Sequence, residues 1–243
     1  MSALLRAELL KLRTTRTFVA LAAVTLGLSL TVLVLRALLQ ADFSEDDVRS
    51  LFYFDFSGLF IALLGIMGMA GEWRHKTITS TILAAPDRLR LLTAKTLSYA
   101  VAGAVLSLVV TVTMMVVASV ILSARDEATL PLADLADPLW RNLLVAALLG
   151  AFGVGIGGVV RDQVAAIVGV MLLTLVVEPT LSIVGAQEVA RFGPLNGAPG
   201  GIIDPSGSDG DLLAPGVAVL VMLGWIGLAF GATAATLRRR DLV

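Results

Sequence analysis

The stretch GEWRHKTITSTILAAPDRLRLLTAKTL, residues 71–97, is the one long polar and basic segment set between two strongly apolar runs. Within it Ile78 and Ile82 lie four apart and share one face of a helix. Pro86 ends that helix, and Asp87 is placed to cap a second, short one. The second helix carries Leu89 and Leu92 on one side and Arg88 and Lys95 on the other. The pattern predicts a helix-turn-helix elbow over 71–96 at a membrane surface, with an apolar patch at Ile78, Ile82 and Leu83 and a basic rim. Such a patch suits docking to a soluble partner. A basic loop that does nothing but fix topology is the alternative.

The runs around the elbow decide the class. The chain has 243 residues, 57% hydrophobic and 15% charged. A soluble domain is roughly 45–50% apolar and about 25% charged. The excess sits in runs near the length that crosses a bilayer as a helix. The expected fold is all-α, a polytopic membrane protein with six spans near 18–35, 51–70, 97–122, 141–160, 164–184 and 215–237. These form a single transmembrane domain over 1–243. The first run exceeds a signal-peptide core and no A-x-A-like site follows it, so it is expected to stay as an anchor. Ahead of it, Leu5, Leu9 and Leu12 form an apolar stripe flanked by Arg6 and Arg13. That fits an amphipathic helix on the membrane interface, or an ordinary charged flank.

Charge sets the orientation. With the N-terminus inside, 13 of 18 basic residues but only 5 of 19 acidic ones fall on the inner side. The basic bias governs topology, so both termini are expected in the cytoplasm.

The fifth run is short. Residues 164–177 would span about 21 Å as a helix against a hydrocarbon core of about 30 Å. Glu178 and Pro179 follow. Either Glu178 sits at the outer edge of a tilted span or the helix breaks there, and a gating role is open to it. The Gly- and Pro-rich segment 187–214 is expected outside as a long loop, and a fold back into the outer leaflet is open to it only where protein or water satisfies its backbone. Gly153 and Gly157 in the fourth span, and Gly227 and Gly231 in the sixth, form G-x-x-x-G pairs that permit close helix approach. Tight packing within one subunit is the favoured reading over a dimer contact. Trp73 and Trp140 sit at span ends as in an aromatic belt, while Trp225 falls mid-span.

Enzyme chemistry finds no support. There is no G-x-x-x-x-G-K-[ST] loop, no H-E-x-x-H and no G-x-S-x-G, and the chain has one histidine and no cysteine. No cofactor is expected in the chain. The basic clusters suit anionic membrane lipid and call for no nucleic acid.

The basic segment AELLKLRTTRTF before the first span, the six runs and the elbow together resemble a type-2, exporter-class ABC transporter permease. The nearest likeness is to small bacterial permeases of antibiotic or bacteriocin export and immunity. The elbow's pattern maps onto Glu72, Arg74, Thr77, Leu83, Pro86, Arg88 and Lys95. The resemblance implies a bacterial cell-membrane subunit that pairs with a second permease copy and a separate soluble ABC ATPase carrying ATP and magnesium. The elbow would be its coupling helix. An ion-coupled secondary transporter with no ATPase is the rival, and it needs repeats or mid-membrane acids.

Overall fold

The computed structural model describes residues 2–40, 43–53, 55–77, 87–127, 129–131, 133–203 and 212–239. Among these residues the regular structure is helical, with no strand. Six segments are long and apolar enough to cross a membrane: Arg16–Leu39, Asp47–Arg74, Arg88–Ala124, Ala136–Val160, Gln163–Ile183 and Pro215–Leu237. The protein is therefore a multi-pass helical membrane protein.

Helix α1 (Ser2–Thr14) leads into α2 (Arg16–Leu39), the first span. The second span departs from the expected single run. It begins with α3 (Glu45–Tyr53), started by a reciprocal capping box in which the Ser44 amide donates to Asp47 and the Asp47 amide to Ser44 Oγ. It resumes as α4 (Ser57–Arg74). Asp55 lies at the interruption, where its carboxylate accepts the Ser57 amide at 2.6 Å and the Ser57 hydroxyl at 2.7 Å. A short acidic side chain that captures a nearby amide competes with the helical ladder.

The third span also differs. The short second helix of the elbow and the span are one continuous helix, α5 (Arg88–Ala124), 37 residues long. Asp87 caps it as expected, accepting the Arg90 amide at 3.0 Å. No glycine or proline between Arg88 and Leu97 stops it. At 1.5 Å per residue α5 is about 55 Å long, far more than the hydrocarbon core requires.

Helix α6 (Ala136–Val160) stands at the centre beside α4, and the two are the most buried spans. Its glycines admit neighbours on several sides. A Cβ at Gly153 would lie 2.1 Å from the Ala62 carbonyl oxygen, and one at Gly157 2.8 Å from that of Ile66. Gly155 and Gly158 lie in the same way against Ala229 and Thr233 of α11 (Pro215–Arg239). The Thr233 hydroxyl donates to the Gly155 carbonyl at 2.9 Å. The expectation of close packing at Gly227 and Gly231 needs correction. No described atom lies within 4 Å of a Cβ built at either, because α11 approaches the glycines of α6 through Ala229 and Thr233, and Gly227 and Gly231 lie off that face.

The fifth span continues through Glu178. Helix α7 (Gln163–Leu172) widens into one π-helical turn, Leu173–Val177, and proceeds as α8 (Glu178–Ile183). Pro179 lacks an amide hydrogen and its ring crowds the carbonyl one turn back, and a widened turn accommodates both. Beyond it α9 (Gln187–Ala190) and α10 (Gly197–Ile203) carry the Gly- and Pro-rich segment against the bundle. Ala198 and Ile202 of α10 are fully buried, and a Cβ at Gly201 would lie 2.5 Å from the Leu213 carbonyl.

Candidate functional site

One end of the bundle gathers α1, the end of α4, the start of α5 and the turn between α6 and α7. There Lys95 is 1% exposed. Its ammonium donates to Glu8 Oε2 at 2.8 Å, to Glu72 Oε1 at 2.9 Å and to the Gly68 carbonyl at 3.3 Å. Lys11 donates to the same Glu72 oxygen at 2.9 Å. Two carboxylates and two ammonium groups thus join three helices. Buried charges persist when they are paired and hydrogen-bonded in this way. The second Glu72 oxygen is buried with no hydrogen-bond partner among the described residues.

This arrangement corrects the sequence assignment of Glu72 and Lys95. The sequence sets Lys95 on the basic rim of the elbow and Glu72 in its resemblance pattern, and both are buried in the bundle. The cause is the continuity of α5. Leu92, Lys95 and Tyr99 follow at intervals of three and four, so Lys95 shares the inward face of two buried neighbours. Its partner Glu8 was not singled out from the sequence, although a signal existed. Glu8 stands three residues after Leu5 and four before Leu12, on the apolar stripe.

The other elbow residues separate. Arg74 and Thr77 are exposed. The Thr77 amide donates to the Glu72 carbonyl at 3.0 Å and so closes α4. The Arg88 guanidinium donates to the Leu237 carbonyl, tying α5 to the end of α11. Ile78, Ile82, Leu83 and Pro86 lie outside the described residues. Arg161, in the turn after α6, lies 4.7 Å above the Trp73 ring. Next to the ion cluster is a cavity of about 400 Å³, bordered by Lys11, Phe18, Gly68, Glu72, Tyr99 and Gln163. Gly68 is required there, since a Cβ would fall 1.7 Å from the Tyr99 hydroxyl oxygen.

The opposite end holds Asp55 and Glu178. The Glu178 carboxylate receives the amides of Leu195, Asn196 and Gly197, at 3.1 Å from Leu195 and 2.5 Å from Asn196. The Asn196 side chain in turn donates to the Thr174 carbonyl at 2.7 Å. Glu178 therefore pins the start of α10 to the π-helical turn. Gly193 leaves room for it, because a Cβ there would lie 2.6 Å from its carboxyl carbon. Asp55 accepts the hydroxyls of Ser107 at 2.8 Å and Thr111 at 2.9 Å, besides Ser57. Asn142 adjoins this group, with Nδ2 at 3.5 Å from the Thr111 hydroxyl. Asp55 and Glu178 border one cavity of about 640 Å³. Trp225 of α11 lies nearby in the fold, and its indole donates to the Phe192 carbonyl at 2.9 Å.

No protein-family model matches the chain, and no curated protein matches it.

Proposed function

We propose that the chain is the membrane-spanning permease subunit of an ATP-driven exporter of the ABC class, with ATP and magnesium held by a separate soluble ATPase. Both termini and the elbow face the cytoplasm of a bacterial cell, and a second permease copy completes the translocation path. One observation carries the reading. The helices on either side of residues 78–86, α4 and α5, are joined by the buried Glu72–Lys95 pair and fixed to α1 through Glu8. A push on residues 78–86 is thereby passed to the bundle as a whole. A permease with no nucleotide site must receive work from a partner, and the work takes the form of a differential contact between the partner's two states. The charge asymmetry and the apolar Ile78, Ile82 and Leu83 support the same placement. Affinity purification of the tagged chain in mild detergent tests it: an ATPase bearing a phosphate loop should be retained.

A second reading has one observation in its favour. Asp55 is a carboxylate within a membrane segment, and no ion pair reaches it among the described residues. Intramembrane acids mark ion pathways. An ion-coupled secondary transporter would move substrate on a sodium or proton gradient with no ATPase present, and transport in proteoliposomes containing this chain alone separates the two.

A further inference from the structure

The larger cavity pairs an apolar wall with an uncompensated negative charge. Leu59 of α4, Leu149 of α6, Leu175 of the π turn and Ile203 of α10 supply apolar surface. Asp55 reaches the cavity from the interruption between α3 and α4. Among the described residues its hydrogen-bond donors are neutral: one amide and three hydroxyls from α4 and α5. They fix the carboxylate in place without balancing its charge. Glu178 borders the same cavity, but both of its oxygens are engaged by backbone amides. Arg191 also borders it, and its guanidinium is paired with Glu188. The local balance is negative, and Asp55 is the group left without a counterion among the described residues.

We propose that this cavity binds lipophilic monovalent cations, with the cationic centre against Asp55 and the hydrocarbon body along Leu59, Leu149 and Leu175. The volume of about 640 Å³ lies within the range of pockets that take drug-sized ligands. An incoming cation supplies the countercharge that the fold omits, in surroundings where such pairing is weakly screened. An anion of equal size and shape meets two carboxylates and is excluded. The proposal rests on the transport reading only where it names the cavity's ligand as cargo. Binding to the isolated chain needs no ATPase, so the two ideas fail separately.

The test uses the full chain in nanodiscs of zwitterionic phosphatidylcholine. The probes are tetraphenylphosphonium and tetraphenylborate, near-identical in shape and opposite in charge. Saturable binding of the cation and none of the anion is expected. Asp55→Asn keeps an acceptor for Ser57, Ser107 and Thr111 and removes the charge. It should weaken cation binding on the order of tenfold or more. Leu59→Trp keeps the charge and fills the wall, and should weaken binding too. Equal binding of both probes would overturn the proposal, as would unchanged cation affinity in a well-folded Asp55→Asn protein. Displacement of the probe by sodium chloride, but not by equal N-methylglucamine chloride, would reassign Asp55 to a small ion and also overturn it. Should Asp55→Asn fail to fold, the two-probe comparison on the unaltered chain and Leu59→Trp still decide.

Discussion

The Lys95 ammonium and the Glu72 carboxylate meet at 2.9 Å with only 1% and 3% of their side chains exposed. The pair brings the last turn of α4 and the second turn of α5 together. It thereby fixes the end of one helix of the elbow segment to the start of the next. A third helix is added through Glu8, and Lys11 completes the neutralisation.

Removing one partner from this cluster should be severe. Lys95→Met leaves Glu8 and Glu72 buried with Lys11 alone, and stranding a buried charge costs about 3–5 kcal/mol. The expected outcome is a large fall in the thermal unfolding midpoint in detergent, with Trp73 as a nearby fluorescent reporter. Arg90→Gln breaks only the exposed contact with Asp87 and should shift the midpoint little, since such pairs contribute about 0–1 kcal/mol. Equal shifts for both variants would show that the cluster does not hold α4, α5 and α1 together.

The glycine pairs should divide by helix. Gly153→Ala places a methyl group 2.1 Å from the Ala62 carbonyl, which backbone movement alone can relieve. Overpacking of this kind costs about 1–3 kcal/mol and should lower the stability and abundance of the protein. Gly227→Ala meets open space and should leave the unfolding midpoint unchanged. Abundance in membranes and thermal midpoints of the two variants, measured together, check the assignment.

Glu178 should act on the outer segment and leave the spans intact. Glu178→Gln puts an amide group where three backbone amides converge, so at least one donor loses its acceptor. Hydrogen exchange over 193–203 should accelerate while α4 and α6 keep their protection. Uniform exchange in variant and parent would remove the pinning role.

Topology is open to single-cysteine labelling, since the chain has no native cysteine. Positions near Asp46 and Asp134 should react with a membrane-impermeant reagent in intact cells, and positions near Arg90 and Asp162 only after permeabilisation. External labelling at position 90 would invert the assignment.

Much of this architecture is legible from hydropathy. The spans emerge because a bilayer demands long apolar helices, and Asp87 marks the start of α5 by simple capping chemistry. What escapes hydropathy is which face of a helix turns inward. Lys95 and Glu72 read as surface charges, since only the packing of α1 against α5 brings Glu8 to them. Gly227 and Gly153 carry the same motif, yet the shape of α6 selects one and leaves the other open. The interruption at Asp55 is hidden inside an apolar run, because the competition between its carboxylate and the helical ladder depends on Ser107 and Thr111 fifty residues away. Glu178 stands out in the sequence for its place beside Pro179, but its amide partners belong to a segment with no regular periodicity.

Under the proposed coupling, the elbow passes work from a soluble ATPase to the bundle, and retention of that ATPase by an elbow variant is its most direct measure. Ile82→Asp puts an unpaired charge into the apolar patch that the sequence predicts at Ile78, Ile82 and Leu83, and it alters no residue of the six spans. Tagged parent and variant, purified side by side in mild detergent, should reach the membrane in similar amounts. The parent should retain a phosphate-loop ATPase, and the variant should lose it or keep it with ATP hydrolysis no longer linked to export. An Ile82→Asp protein that retains the ATPase and exports at the parental rate would contradict the account.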